Sequence, residues 1–178
     1  PVLKTGGSYL ITGGCGGLGY QIAQHLVRHY AARVTLLGRS PVDARIESQL
    51  AALRTMGGQA HYAQADVCNE RQLSAALETA REHMGAFHGL VHAAGIQGAE
   101  TILERNPEDF QRVLDIKIKG TLLLDQALQQ DPLDWVCYFS SSAAILGDFG
   151  ACDYAVGNRF QNAYARARNA RQAQGFCS

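Results

Sequence analysis

The chain has 178 residues, 47% of them hydrophobic and 18% charged, with 19 glycines and a net charge of zero. This is the profile of one globular domain with a substantial core and more glycine than average. The charge balance argues against non-specific attraction to nucleic acid or an anionic membrane, and no apolar run reaches the ~20 residues of a spanning helix.

The elements alternate from the start. SYLIT (8–12) reads as an apolar strand ending in a glycine cluster, and LGYQIAQHLVRHY (18–30) as a helix with Leu18, Ile22, Leu26 and Val27 on one face. RVTLLG (33–38) is a second strand, followed by a helix over 43–57 that Gly57 and Gly58 close. QAHYAQ (59–64) is a third strand, and 69–85 a helix between Asn69 as N-cap and Gly85 as stop. FHGLVHAAG (87–95) is a fourth strand, and a single helix is predicted from about Pro107 to about Gln130. DWVCYFSSS (134–142) is a fifth strand and 152–172 a last helix. Strands alternating with helices of this length predict an α/β fold, a Rossmann-like doubly wound parallel sheet covered on both faces. Repeats, linkers and low-complexity tracts are absent, so the pattern is that of one domain. A right-handed crossover after the last helix predicts a further strand, so the sheet reads as lacking its C-terminal strands.

The stretch TGGCGGLG, formed by Thr12, Gly13, Gly14, Cys15, Gly16, Gly17, Leu18 and Gly19, lies between the first strand and first helix. Glycine there lets the backbone turn tightly and approach a pyrophosphate, which the helix N-terminus then receives. Glycines also make ordinary turns; the strand–loop–helix setting is what favours dinucleotide binding. The second strand ends in LLGRS, where an acid would suit the ribose 2′-hydroxyl of NAD and an arginine the 2′-phosphate of NADP. Arg39 and Ser40 stand there, with no acid before Asp43, so the expected cofactor is NADPH. The alternative is a solvated arginine at a strand end.

Together with that loop, ADV (65–67), HAAG (92–95), FSSSA (139–143) and Tyr154 resemble the short-chain dehydrogenase/reductases, in that superfamily's order and over essentially the whole chain. Most members carry Tyr-x-x-x-Lys; here Asn158 stands four residues after Tyr154, and a lysine occurs instead at Lys117 in DIKIKGT. That exchange, with LLGRS and PLDWVCYFSS, is similar to the ketoreductase domains of modular polyketide synthases. The resemblance implies that residues 1–178 are an NADPH-binding catalytic domain, a C-terminally incomplete part of a larger multidomain synthase that lacks its C-terminal strands and substrate lid. It implies reduction of a β-ketoacyl chain, carried by phosphopantetheine on an acyl carrier protein, to a β-hydroxyacyl chain. Neighbouring synthase domains would be further partners. It implies a catalytic set of Tyr154, Ser141, Lys117 and Asn158, and cofactor contacts along the glycine loop, at Asp66 and Val67 flanking the adenine, and at His92, Ala93, Ala94 and Gly95.

The residues support those roles. Four residues along a helix return to the same face, so Tyr154 and Asn158 point to one cleft. A tyrosine phenol ordinarily titrates at about 10, and a nearby ammonium favours its anion. Lys117, from the preceding helix, is expected to supply that charge while Asn158 holds geometry. Ser140 is the alternative hydroxyl to Ser141, since strand-end turns commonly use serine. Lys119 lies on another helical face from Lys117, and Gly120 aligns Lys117 with the family position. Asp66 has the alternative of a helix cap.

Other features are set aside. His25 and His29 lack a third ligand and read as exposed helix residues. The five cysteines, Cys15, Cys68, Cys137, Cys152 and Cys177, have no C-x-x-C pair, which predicts reduced thiols and no metal site. The N-terminus lacks the pattern of a secretory signal, so the expected location is the cytoplasm. Arg159, Arg166, Arg168 and Arg171 make the last helix basic; a solvated face is the plain reading, docking of an acidic carrier protein the functional one. Gln97, Gly98 and Ala99 stand where an L-D-D-like triad marks one stereochemical class, and Leu146 stands where a tryptophan marks the other. The reading leans away from the L-D-D class and assigns no configuration. Two rival functions are a non-catalytic dinucleotide-binding scaffold, which predicts loss of one of the four catalytic residues, and a stand-alone reductase of a small ketone, which predicts Tyr-x-x-x-Lys.

Overall fold

Short segments with apolar residues facing the core build β1 (Ser8–Thr12), β2 (Arg33–Gly38), β3 (Gln59–Gln64), β4 (Gly89–His92) and β5 (Trp135–Tyr138). The structure, a computed structural model, describes residues 2–96, 106–147 and 150–173. All strand pairs are parallel and the order is β3-β2-β1-β4-β5, with β1 beside both β2 and β4. The order reverses between β1 and β4, and such a switch point opens a crevice beyond the carboxyl ends of the strands. The three leading strands match their expected bounds; β4 and β5 are shorter, because the residues after His92 and Tyr138 leave the ladder to line that crevice.

The helices are α1 (Gly17–Tyr30), α2 (Ala44–Thr55), α3 (Glu70–Met84), α4 (Pro107–Lys117), α5 (Lys119–Ala127), α6 (Ala143–Leu146) and α7 (Cys152–Ala173). Asn69 caps α3 as expected, its side chain accepting from Gln72 N at 3.1 Å, and Asp43 caps α2 in the same way through Ile46 N at 2.7 Å. Alternation along the strands splits the core in two. Tyr9, Ile11, Val34 and Leu36 pack with Leu26 and Val27 of α1 and with Ile46, Leu50 and Leu53 of α2. Leu10, Leu37 and Leu90 pack on the other face with Leu73 and Leu77 of α3, and with Ile116 and Leu124 of α4 and α5.

Four expectations need correction. The helix predicted over 107–130 is two, broken at Ile118 (φ −96°, ψ −69°). The break coincides with a side-chain bond from Thr121 Oγ1 to the Lys117 carbonyl at 2.6 Å, and such back-bonding bends helices. The short α6 was not expected. Leu18 is not a core residue of α1; at 63% exposure in the first turn of the helix it lines the crevice. The basic helix α7 is only partly a solvated face: Arg168 Nε is 2.7 Å from Asp125 Oδ1, and Arg171 approaches the same carboxylate at 3.8 Å. His25 and His29 are exposed, their rings 4.6 Å apart. Cys15, Cys68, Cys137 and Cys152 are free thiols, and Cys177 lies outside the described residues. Among the described residues no group of three candidate ligands assembles for a metal, and no helix is long and apolar enough to cross a membrane.

One ion pair ties three elements below the crevice. The side chain of Asp131, 2% exposed, accepts from Arg81 Nη2 at 2.7 Å and from Phe87 N at 2.8 Å, while Arg81 Nη2 also donates to Ala127 O at 2.7 Å. Removing one partner strands the other, half-buried. Asp131→Ala should therefore lower unfolding free energy by about 3 kcal/mol in urea titration, whereas loss of the exposed pair Arg112–Asp109 should cost under ~0.5 kcal/mol.

Candidate active site and dinucleotide cleft

The crevice holds two adjoining hollows that share Gly95 and Ile96. One, of about 170 Å³, is lined by Gly13, Arg39, Asp66, Val67 and Ala94 among others; the second, of about 250 Å³, by Leu18, Ala93, Lys117, Phe139, Ser140 and Tyr154. An extended ligand lying along the strand ends would cross both.

The glycine loop explains the first hollow. Gly13 has φ +67°, and a Cβ there would sit 3.1 Å from Ala94 Cα, so the loop lies directly on the chain after β4. A Cβ at Gly19 would come within 2.5 Å of Gly13 O, and one at Gly14 within 2.8 Å of Ile11 O. Gly17 differs: nothing lies within 4 Å of its Cβ position. That open space sits at the first turn of α1, where no side chain caps the helix. Bare N–H groups at a helix N-terminus with room above them suit a pyrophosphate. The residues present therefore fit a dinucleotide.

At the β2 end, Arg39 is exposed and lines the hollow, while the Asp43 carboxylate is committed to capping α2. Ser40 is held by its carbonyl, which accepts from Tyr62 Oη at 2.6 Å. Arg45, which the sequence reading missed, donates from Nη1 to Cys15 O at 2.9 Å and braces the loop from α2. Burial pushes the Cys15 thiol up, away from the reactive thiolate. Asp66 is not a helix cap; Oδ1 accepts from Cys68 N at 2.9 Å, and the residue lines the hollow with Val67.

Thr12 and His92 are fully buried, which corrects the expectation that they touch a cofactor. They form a frame instead. Ala94 N donates to Thr12 Oγ1 at 3.1 Å, the Thr12 hydroxyl donates to His92 Nδ1 at 2.6 Å, and His92 Nε2–H donates to Ile116 O at 3.3 Å. Burial holds His92 down at about 3, so the ring is neutral and the tautomer follows from the carbonyl it faces. The frame joins the glycine loop, the β4 end and the residue before Lys117.

Lys117 is 3% exposed, and its ammonium donates to Phe139 O at 2.7 Å. Its stem runs beside Gly157, where a Cβ would lie 2.8 Å from Lys117 Cβ, and under Gly95, where one would lie 3.2 Å from Lys117 Cε. Desolvation holds the amine down to about 8. Lys119 is exposed. Asn158 is fully buried one turn beyond Tyr154, its Nδ2 donating to Tyr154 O at 2.7 Å. Ser140 lines the cleft, but its hydroxyl donates to Asn158 O at 3.2 Å. Ser141 Oγ accepts from Ala143 N at 3.2 Å, and among the described residues its own O–H has no acceptor. The structure thus brings Lys117, Ser140 and Tyr154 to one cleft and sets Asn158 behind Tyr154; Ser141, next to Ser140 in the chain, is not among the described residues that line that hollow. Gln97, Gly98 and Ala99 lie outside the described residues; Leu146 is 84% exposed.

A family model described as the KR domain matches residues 7–177. The chain is 50% identical over 94% of its length to the polyketide synthase PksM of Bacillus subtilis, of which it spans 4%. It superposes on the crystal structure of an N-terminal ketoreductase from the macrolactin assembly line with TM-score 0.91 at 34% identity, covering 95% of this chain and 35% of that one. A ketoreductase domain from the bacillaene assembly line gives TM-score 0.90 at 36% identity, with 95% and 41% covered.

The two glycines give a contrast. Gly19→Ala should destabilise the fold by about 1–3 kcal/mol through overpacking. Gly17→Ala, which meets no protein atom, should melt like the parent yet abolish the rise in Tm on adding a nicotinamide dinucleotide, as read by differential scanning fluorimetry.

Proposed function

Since this chain belongs to the KR domain family, whose relatives above are components of polyketide synthases, we propose that it reduces a β-ketoacyl thioester with NADPH. The observation that carries this reading is the buried Lys117 ammonium sharing one cleft with Tyr154. The substrate chain would be carried by phosphopantetheine on an acyl carrier protein, with neighbouring synthase domains as further partners, in the cytoplasm.

The bound dinucleotide would supply hydride to the ketone carbon. Gly17 and the first turn of α1 would receive its pyrophosphate, Asp66 and Val67 would flank the adenine, and Arg39 with Ser40 would meet a 2′-phosphate. Tyr154 donates its phenolic proton to the ketone oxygen as negative charge develops there, giving the hydroxyl product. Ser141 hydrogen-bonds the same oxygen: Ala143 N occupies one lone pair of its Oγ and leaves the O–H to donate, whereas the Ser140 hydroxyl is already spent on Asn158 O. Lys117 holds positive charge near the phenol, and stabilises the phenolate that proton transfer leaves. Asn158 acts from behind, fixing the turn that aims Tyr154. The scaffold alternative predicts loss of a catalytic residue, and Lys117, Ser141, Tyr154 and Asn158 are all present.

Tyr154→Phe should abolish NADPH oxidation with a β-ketoacyl thioester in a spectrophotometric assay; retained turnover would reject the assignment. Ser141→Ala should lower kcat by about 10²-fold or more, and more than Ser140→Ala. Arg39→Ala should weaken NADPH by about tenfold while leaving NADH binding unchanged, measured by fluorescence titration. The pH dependence has a defined sign: desolvation holds Lys117 at about 8, so the charged form prevails below that value. The rate should fall as pH rises through about 8, and Lys117→Met should remove that limb with most of the activity.

A further inference from the structure

Beneath the cleft runs a seam of buried polar side chains that the proposed chemistry does not use. Thr121 and Gln161 are fully buried, where α5 meets α7. Gln161 Nε2 donates to Thr121 Oγ1 at 3.2 Å, and Thr121 Oγ1 donates to the Lys117 carbonyl at 2.6 Å. Gln161 Oε1 and, three residues before it, Asn158 Oδ1 are buried with no hydrogen-bond partner among the described residues. Two apolar residues would fill this seam with less desolvation, so packing alone does not account for a glutamine here.

The seam ends on the residue that matters. The Lys117 carbonyl lies at the break between α4 and α5, and the hydroxyl of Thr121 reaches it from one turn ahead. A hydroxyl bonded to the i−4 carbonyl bends a helix, and here the bend falls one residue after the lysine. The side chain then enters a slot between Gly157 and Gly95, and ends at Phe139 O. A small rotation of α4 would press the stem on Gly157, where there is room only because that residue has no side chain: a Cβ there would lie 2.8 Å from Lys117 Cβ.

We infer that Thr121 and Gln161 are positioning residues for Lys117, Gln161 holding the Thr121 hydroxyl and that hydroxyl holding the helix break that aims the ammonium into the cleft. The inference rests on the ketoreductase reading for its consequence, and on the hydrogen bonds alone for its geometry. Among the described residues, the ionisable groups beside the amine are His92 from β4, kept neutral by burial, and Tyr154 from α7, which lines the same hollow.

The experiment compares Thr121→Val, Thr121→Ser and Gln161→Leu in the full-length protein with two readouts. The first is the rate of reductive methylation of Lys117, followed by mass spectrometry and independent of turnover. The second is the pH profile of kcat. In Thr121→Val the freed amine should be methylated at least tenfold faster. Its kcat should fall by about ten- to a hundredfold with KM little changed, and the alkaline limb should move upward from about 8 as the amine gains solvent. Thr121→Ser, which keeps the hydroxyl, should restore all three. Gln161→Leu should move them the same way by less, and decides the matter if Thr121→Val does not fold. Unchanged methylation and an unmoved limb in both Thr121→Val and Gln161→Leu would overturn the inference. If Lys117→Met retained full activity, the functional reading would fall instead, and the methylation rates would still judge the positioning.

Discussion

The Lys117 ammonium donates to the Phe139 carbonyl at 2.7 Å from a side chain only 3% exposed, and the rest of the site is arranged around that contact. A lysine with a free choice would send its head to water, because burying an ammonium is costly unless it is bonded. Here the cost is met by a strand-end carbonyl, and desolvation leaves the amine down at about 8. The charge is therefore close to its titration point at physiological pH, and it sits in a medium that screens it less than water would. Among the described residues no carboxylate pairs with the amine. A paired lysine would have its field cancelled.

The contact depends on where α4 stops. Two successive carbonyls at the helix break, those of Ile116 and Lys117, each receive a buried side-chain donor, from His92 Nε2 and Thr121 Oγ1. His92 is in turn bonded to Thr12, at the foot of the glycine loop. The hydrogen-bonded frame runs from the foot of the glycine loop to the carbonyl of Ile116, one residue before Lys117, through the fully buried Thr12 and His92, and buried, paired networks of this kind are stiff. The glycine loop and the buried amine are consequently parts of one object rather than two neighbouring features.

Charge elsewhere is used structurally. Asp125 gathers Tyr164 Oη at 2.6 Å and Arg168 Nε at 2.7 Å, fastening α5 to α7, so the basic character of α7 is smaller in space than in sequence. Arg166 is exposed and Arg159 reaches back to Ala144 O at 3.3 Å. Arg45 works within the loop rather than on a partner. A surface for an acidic carrier protein would have to be found with fewer free arginines than a count along the chain suggests.

Much of this was legible in the residue order. Period-two and period-3.6 patterns are local properties, so the first three strands and the caps at Asn69 and Gly85 could be read directly, and the glycine loop declared itself by its place between strand and helix. The residue types at 117, 141, 154 and 158 likewise carried the family resemblance. What sequence could not supply was anything set by contacts across elements. The break at Ile118 needs Thr121 to turn back on Lys117, and nothing in an amphipathic run of that length announces it. The burial of His92 and Thr12, the loss of Leu18 from the core, and the sharing of Asp125 by two arginines all arise from chain segments tens of residues apart meeting in space. Sequence by itself determined the order of the strands and helices and the chemical groups available, because these follow from local periodicity and composition. Only the tertiary structure decided which serine keeps a free O–H and which amine is dry, because hydrogen-bond partners and desolvation belong to the packed chain.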